Sequence, residues 1–250
     1  FLLYVMGALL MFLEFINRKL KRNALDYSCL SIVGDRGSGK SSVMALIADE
    51  ALKQGRQVYC QYPYKDTYKI PMCRKNLKFG LSIYDVDRNW LYNNAFEPGS
   101  VILLDEASTI WPARDYKNWS AADSAFFNFI RKEKLTFVIA TQYYDQLDLN
   151  VKRSADETWF VTRSLIFPNI SSIEASITMT VKVADKNTEV VGKAFKRGAR
   201  KIAFDVCEIP KRTYHFYRKP YYGKFITDFV PFIKNQIPVP SWNDLNVFSE

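Results

Sequence analysis

The sequence predicts an α/β fold, a mostly parallel sheet covered by helices, and three observations carry the prediction. Between residues 28 and 167, apolar runs of strand length alternate with longer runs of helical periodicity, as in sheets buried on both faces. A glycine-rich turn, Gly34-Asp35-Arg36-Gly37-Ser38-Gly39, joins one such strand to one such helix. A second apolar run, Val101–Leu104, ends in the adjacent carboxylates Asp105 and Glu106, at the carboxyl end of a strand, where ligands of open parallel sheets collect.

The elements follow in order. SCLSIV, Ser28 to Val33, reads as a short buried strand. Lys40 to Lys53 has helical spacing, with Val43, Ala45, Leu46, Ile47, Ala48 and Leu52 on its apolar face and Gly55 where a helix stops. Gln57–Tyr62 and Leu81–Val86 read as the second and third strands, Val101–Leu104 as another, and Asp123–Lys132 as a helix. Thr136–Gln142 and Glu157–Arg163 complete the buried strands of a domain spanning residues 24–167. From Ile170 the pattern changes: Ser171–Phe195 alternates apolar and polar residues around Asp185-Lys186-Asn187, as a hairpin with one wet face does. Residues 168–250 are expected to form this β-hairpin, a basic aromatic stretch (Arg212–Phe225) and an irregular tail broken by Pro231, Pro238 and Pro240, all packed on the core.

Composition narrows the function. A chain of 250 residues, 48% hydrophobic, can bury the core of one large domain with an appendage. The four cysteines, Cys29, Cys60, Cys73 and Cys207, have no CxxC spacing, which argues for reduced thiols and against a disulfide framework. A single histidine, His215, excludes a multi-histidine metal site, and no nucleophile elbow accompanies it. The net charge of +9 is concentrated in Arg18, Lys19, Lys21 and Arg22 and in the segment from Lys193 to Lys224.

The first cluster follows an apolar run, Phe1–Leu13, and Glu14. A helix of that length reaches about 20 Å, short of the roughly 30 Å hydrocarbon core, so it reads as the tail of a longer membrane helix. Residues 1–22 are expected to be a membrane anchor. The basic collar lies downstream, the reverse of a signal peptide, and the positive-inside rule places the rest of the chain on the cytoplasmic face of the inner membrane. Glu14 favours the competing reading, a buried or interfacial helix.

The glycine turn fits G-x-x-x-x-G-K-[ST], with Gly34, Gly39, Lys40 and Ser41 at the fixed positions. In that pattern the backbone N–H groups of Gly34, Asp35, Arg36, Gly37, Ser38, Gly39 and Lys40, with Ser41 and Ser42 opening the helix, surround phosphate oxygens, and the helix adds its positive end. Lys40 would reach the β- and γ-phosphates of ATP, and Ser41 would place its hydroxyl on Mg²⁺. Asp105 would hold Mg²⁺ through water, and Glu106 would orient and polarise the attacking water. Two adjacent acids on a buried strand end point to hydrolysis of ATP. Gln142, ending the Thr136–Gln142 run, would sense the γ-phosphate if its strand lies beside the loop strand or the acidic one.

The stretch VILLDEASTIWPARDYKNWSAADSAFFNFIRKEKLTFVIATQ, Val101 to Gln142, resembles the Zot (zonula occludens toxin) family, to which the gene I assembly protein of filamentous phages belongs, within the FtsK and HerA group of DNA-pumping P-loop ATPases. The resemblance covers residues 28–163. It rests on the glycine loop, the DEA strand end followed by Trp111, Pro112 and Arg114, then Arg131 and the ATQ at Ala140–Gln142. It implies a membrane-bound P-loop NTPase that works as a homo-oligomeric ring with phage coat or assembly proteins to extrude filamentous phage or move its DNA. It also implies that an arginine of a neighbouring subunit completes each site: Arg153 is the first choice, ahead of Arg131 and Arg114. This chain departs from the phage protein in carrying its membrane-type segment ahead of the ATPase domain.

The basic, tyrosine-rich stretch from Lys193 to Tyr222 suits single-stranded DNA, with cations tracking phosphates and rings stacking on bases. Acidic lipid headgroups or plain solvation of a charged face explain the same residues. A DNA-packaging ATPase of the same group and a nucleotide-gated membrane scaffold are the alternatives to an extrusion motor.

Overall fold

The computed structural model describes residues 12, 15–21, 23, 25, 26, 28–76, 82–114, 119–184, 193–197 and 200–224. The expected turn at 185–187, the proline-broken tail, Arg22 and nearly all of the Phe1–Leu13 run lie outside them.

Nine strands form one sheet. Its parallel part runs, in spatial order, β8 (Glu157–Arg163), β1 (Cys29–Val33), β7 (Thr136–Thr141), β6 (Val101–Leu104), β2 (Val58–Cys60) and β3 (Tyr68–Lys69). These strands read as continuous apolar runs because both their faces are covered. Leu30, Ile32, Val101, Leu103, Val138 and Ala140 pack with Val43–Ala48 of helix α1 (Lys40–Lys53). Cys29, Ile102, Leu104, Phe137 and Ile139 face the opposite side. There they meet Leu91 of α2 (Arg88–Asn93), Ala107 and Ile110 of α3 (Ala107–Ile110), Phe127 of α4 (Ala121–Phe129) and Val151 of α5 (Leu149–Ser154). The side chains alternate between the two clusters with the two-residue period of a strand. This is the expected α/β fold, a mostly parallel sheet covered by helices.

Helix α1 has the expected bounds, and Gly55 follows with φ +70°, the left-handed conformation that a glycine takes at little steric cost. Helix α4 begins two residues before the expected Asp123. Ser120 caps it, and Asp123 at the third helical position returns a bond to the Ser120 backbone.

Leu81–Val86 does not join the central sheet. Strand β5 (Ser82–Val86) pairs antiparallel with β4 (Met72–Asn76) in a separate two-stranded ribbon. Ser82, Tyr84 and Asp85 interrupt the apolar run that the central strands keep on both faces.

Residues 170–217 also differ from the expected hairpin. Strand β9 (Ile170–Ala184) continues the sheet antiparallel to β8, and its other partner is not the segment that follows it but β11 (Arg200–Tyr217). Strand β10 (Lys193–Arg197) pairs antiparallel with the far side of β11. The basic aromatic stretch is therefore strand over residues 212–217. Pro210, which has no N–H to give, sits where the β9–β11 register shifts.

Among the described residues no helix is long and apolar enough to cross a membrane. The helical segment at 15–21 lies against the protein: Leu20 is fully buried, and Asn17 donates to the Tyr217 carbonyl at 3.0 Å and accepts from the Tyr217 N–H at 2.8 Å. The amide of Asn17 thus stands in for a strand partner beyond the reach of β10, whose pairing covers only Arg200–Phe204. Cys29 and Cys60 are buried, as expected of core cysteines.

Asp123 is the polar centre of the second core cluster. Its carboxylate accepts from Trp111 Nε1 at 2.9 Å, from the Ser120 N–H and hydroxyl, and from the Tyr92 hydroxyl, with Arg88 at 3.4 Å. Burial alone would raise its pKa, but the bonds from Ser120, Tyr92 and Trp111 outweigh it and hold the carboxyl below the usual range. Its stabilising contribution is then complete above the ordinary carboxylate range and is lost as pH falls through the depressed folded value. Asp123→Ala is expected to cost about 3 kcal/mol by leaving buried donors unpaired. Urea denaturation at neutral and acid pH measures it, and the gap from wild type should narrow in acid.

Candidate active site

The carboxyl ends of β1, β7, β6 and β2 open onto one crevice, and each delivers a polar group. β1 ends in the glycine loop, β7 in Gln142, β6 in Asp105 and Glu106, and β2 in Gln61 and Tyr62. The strand carrying Gln142 lies between the loop strand and the acidic strand, beside both. That placement meets the condition under which Gln142 faces the same ligand.

The loop is shaped by its glycines. Gly37 and Gly39 have φ of +76° and +113°, and Gly39 is the N-cap residue of α1. A Cβ on Gly34 would fall 2.3 Å from the Val161 carbonyl of β8, so only glycine fits there. The Ser38 N–H donates to the Asp35 carbonyl at 3.1 Å. Asp35, Arg36 and Gly37 are exposed, Ser38 is buried, and Ser41 and Ser42 are half-buried in the first turn of α1.

Lys40, the first residue of α1, curls back over the loop. Its Nζ donates to the Gly34 carbonyl at 2.7 Å and to the Asp35 carbonyl at 3.2 Å. Burial lowers its pKa, while the negative charges of Asp105, Glu106 and Asp35 act in the opposite sense. The lysine and both acids therefore share one electrostatic environment. Asp105 is buried, and burial raises its pKa; the charge of Glu106 adds to this, while a hydrogen bond from the Glu106 N–H and the charge of Lys40 oppose it.

Glu106 adopts a left-handed backbone, φ 50°, a conformation that costs a non-glycine residue about 1–2 kcal/mol. Strain of this kind collects at working sites. The turn lets the Glu106 N–H donate to Asp105 Oδ1 at 2.9 Å and sets the Glu106 carboxylate against Gln142, whose Nε2 donates to Glu106 Oε1.

Of the candidates, the structure brings together the loop, Lys40, Asp105, Glu106 and Gln142. Arg153 is exposed on α5 and, among the described residues, makes no hydrogen bond or ion pair with them. Arg131 is exposed after α4. Arg114 is exposed too, and with Ser108, Pro112, Ala113, Asp145 and Gln146 it lines a cleft of about 450 Å³ between the segments that follow Glu106 and Gln142.

Sequence reasoning missed several neighbours. The buried Gln61 accepts from the Asp105 N–H at 3.0 Å and so fixes the turn that carries the acids. Burial and the charges of Asp105 and Glu106 push the Tyr62 phenol up to about 12. Both follow β2 at its carboxyl end, which was the available signal. Ser171 and Arg218, on β9 and just past β11, hold the loop from outside: the Ser171 hydroxyl donates to the Ser38 carbonyl, and Arg218 Nη1 donates to the Gly37 carbonyl at 2.9 Å. No local pattern marks them.

The sequence profile described as Zonular occludens toxin (Zot) matches residues 30–222. No curated protein matches the chain. Among solved structures, the N-terminal domain of zonular occludens toxin from Neisseria meningitidis is similar at 20% identity over 59% of this chain and 82% of that one, with a TM-score of 0.45. The genome packaging NTPase B204 of Sulfolobus turreted icosahedral virus 2, in complex with ATP-gammaS, is similar at 14% identity over 58% and 91%, with a TM-score of 0.43.

The two ends of the loop should tolerate a methyl group differently. Gly34→Ala drives a Cβ into the Val161 backbone and is expected to destabilise the fold by about 3 kcal/mol. Gly37→Ala meets open space and carries only the left-handed penalty of about 1–2 kcal/mol. Parallel urea titrations of the two variants check the order.

Proposed function

The chain belongs to the Zot family, and on that premise we propose that it is a membrane-associated, Mg²⁺-dependent ATP hydrolase, a motor that drives assembly and extrusion of filamentous phage or moves its DNA across the membrane. One observation carries the enzymatic part: Lys40, Asp105, Glu106 and Gln142, drawn from three strand ends, meet in a single crevice beside the glycine loop.

The residues fit both ligands. Lys40 is held by two backbone carbonyls that phosphate oxygens would replace, and the loop and the N-terminus of α1 supply N–H donors for an anion. A buried carboxyl whose pKa is raised by burial and by the charge beside it gains from a divalent cation. Asp105, together with the Ser41 hydroxyl, would hold that cation. When bound, Mg²⁺ supplies positive charge to the β- and γ-phosphates.

The chain's own residues do the rest. Lys40 neutralises charge on the γ-phosphate as the bond to the leaving ADP breaks. Glu106 accepts a hydrogen bond from the attacking water and takes its proton. Gln142 fixes the Glu106 carboxylate through its amide and faces the terminal phosphate. Arg153 of a neighbouring subunit in a ring would complete the site from outside.

Surface features support the partners. Backbone register pairs Lys196 with Lys201 and Arg197 with Arg200 across β10 and β11. Four basic residues gathered on one strand pair suit a nucleic-acid phosphate chain. Phe12, Phe15, Leu165, Ile166 and Phe167 are exposed. The helical segment runs from Asn23, bonded to Tyr214, to Asn17 at Tyr217, which pairs with Ile170. Its phenylalanines therefore lead toward the end of the sheet that carries the 164–169 turn. An apolar end near Arg18 and Lys19 suits an anionic membrane surface.

Glu106→Gln is expected to lower ATP turnover by at least about 100-fold with ATP binding retained, and Lys40→Ala to lose both. Phosphate release and calorimetric binding measure the two effects; normal turnover by Glu106→Gln overturns the assignment. Affinity for single-stranded DNA should fall steeply with salt and should collapse on charge reversal at Lys196, Arg197 and Arg200. Binding indifferent to both excludes DNA from this surface.

A further inference from the structure

Arg218 is 5% exposed, and its side chain bridges the rim of the glycine loop and the turn between β8 and β9. It lies 181 residues beyond Gly37, just past β11. Its backbone N–H donates to the Asn169 carbonyl at 2.9 Å, its Nη1 to the Gly37 carbonyl at 2.9 Å and its Nη2 to the Pro168 carbonyl. Its Nε is buried without a hydrogen-bond partner among the described residues. The guanidinium carbon sits 5.8 Å from the Tyr222 ring centre, and the Cδ occupies the place where a Cβ on Gly39 would be, at 2.6 Å.

These facts are costly together. A guanidinium taken out of water needs a carboxylate or a full set of acceptors, and among the described residues no carboxylate pairs with Arg218. It adds a third cation to a loop that already holds Arg36 and Lys40. The arrangement is unbalanced for an isolated loop and balanced for one that holds a polyanion.

Geometry sets what Arg218 does there. A peptide carbonyl turned toward a cation on the outside of the loop cannot face an anion on the inside, and its negative end is thereby kept away from phosphate oxygens. Ser171 does the same for the adjacent Ser38 carbonyl. Ser171 lies on β9 and Arg218 directly follows β11, so the loop is tied to the antiparallel part of the sheet at consecutive carbonyls.

We propose that Arg218 is a positioning residue of the nucleotide site: it holds the Gly37 carbonyl out of the phosphate cradle and ties the state of the loop to strand β11 and the β8–β9 turn. The inference rests on the reading of the loop as an ATP site. It assigns Arg218 no contact with the reacting phosphate, so its loss should weaken binding and spare the chemical step.

Full-length wild type, Arg218→Ala, Arg218→Lys and Ser171→Ala are compared by calorimetric binding of ATP, by steady-state hydrolysis and by hydrogen exchange with and without ATP. Arg218→Ala is expected to raise Kd and KM about 10-fold or more while kcat changes less than about 3-fold. Arg218→Lys keeps a cation for the Gly37 carbonyl and should recover part of the loss. ATP should slow exchange in residues 37–39 and 212–217 of the wild type, and the second region should lose that response in Arg218→Ala. Unchanged Kd and KM with a lowered Tm would make Arg218 purely structural and overturn the proposal, as would a fall in kcat alone. If Arg218→Ala does not fold, Ser171→Ala and Arg218→Lys decide: wild-type affinity and wild-type exchange in both reject it. Wild type that binds no ATP removes the nucleotide reading itself, whereas ATP-binding wild type with indistinguishable variants removes only this inference.

Discussion

The ammonium of Lys40 governs the architecture of the site. It sits at the first residue of α1, buried, between the carbonyls of Gly34 and Asp35 and in the field of Asp105 and Glu106. A cation in that position requires acceptors on every side. The loop must fold back so that its carbonyls reach Nζ, which demands the left-handed glycines at 37 and 39. The acids must end a neighbouring strand, and helix α1 must start where the loop ends.

Strand order turns that demand into a fold. If the acidic strand were far from the loop strand, Asp105 and Lys40 could not share a crevice. With β7 alone between them, the separation is two strand spacings, about 10 Å, which a lysine and a carboxylate bridge from either side while leaving room for a phosphate. The intervening strand brings Gln142 into the same gap, where it bonds Glu106. The alternation of buried side chains on β1, β6 and β7 between two core clusters keeps all three in register. A one-residue slip would exchange the faces of a strand and move its terminal group out of the crevice.

Much of this was legible in the residues because it is local. The loop, helix α1, strands β6 and β8 and the acidic pair each carry their pattern within a dozen neighbours. The capping box at Ser120 was equally local and was overlooked, which misplaced the start of α4. Pairings between distant segments left no comparable trace. The alternation in Ser171–Phe195 identifies strands, but nothing in it tells that β11 lies between β9 and β10. Gln61 stands 44 residues from Asp105 and Arg218 stands 181 from Gly37; their importance comes from where the sheet places them. His215 is an exposed residue of β11.

The antiparallel strands are best understood as part of the site. Gly34 packs against the Val161 carbonyl of β8, Ser171 of β9 holds the Ser38 carbonyl, and Arg218 after β11 holds the Gly37 carbonyl. Three consecutive neighbours in the sheet therefore grip the outer wall of the loop, while Lys40 grips the inner one. A loop clamped on both walls cannot change shape alone when an anion enters: a shift in its carbonyls must move a strand end, and a shift in β11 must move a carbonyl. Because β11 stays paired from that clamp to Arg200, the physical route from phosphate to the edge strand is β11 alone, its register shifted once, after Pro210. The bulge there is the one place along it where the register with β9 can yield.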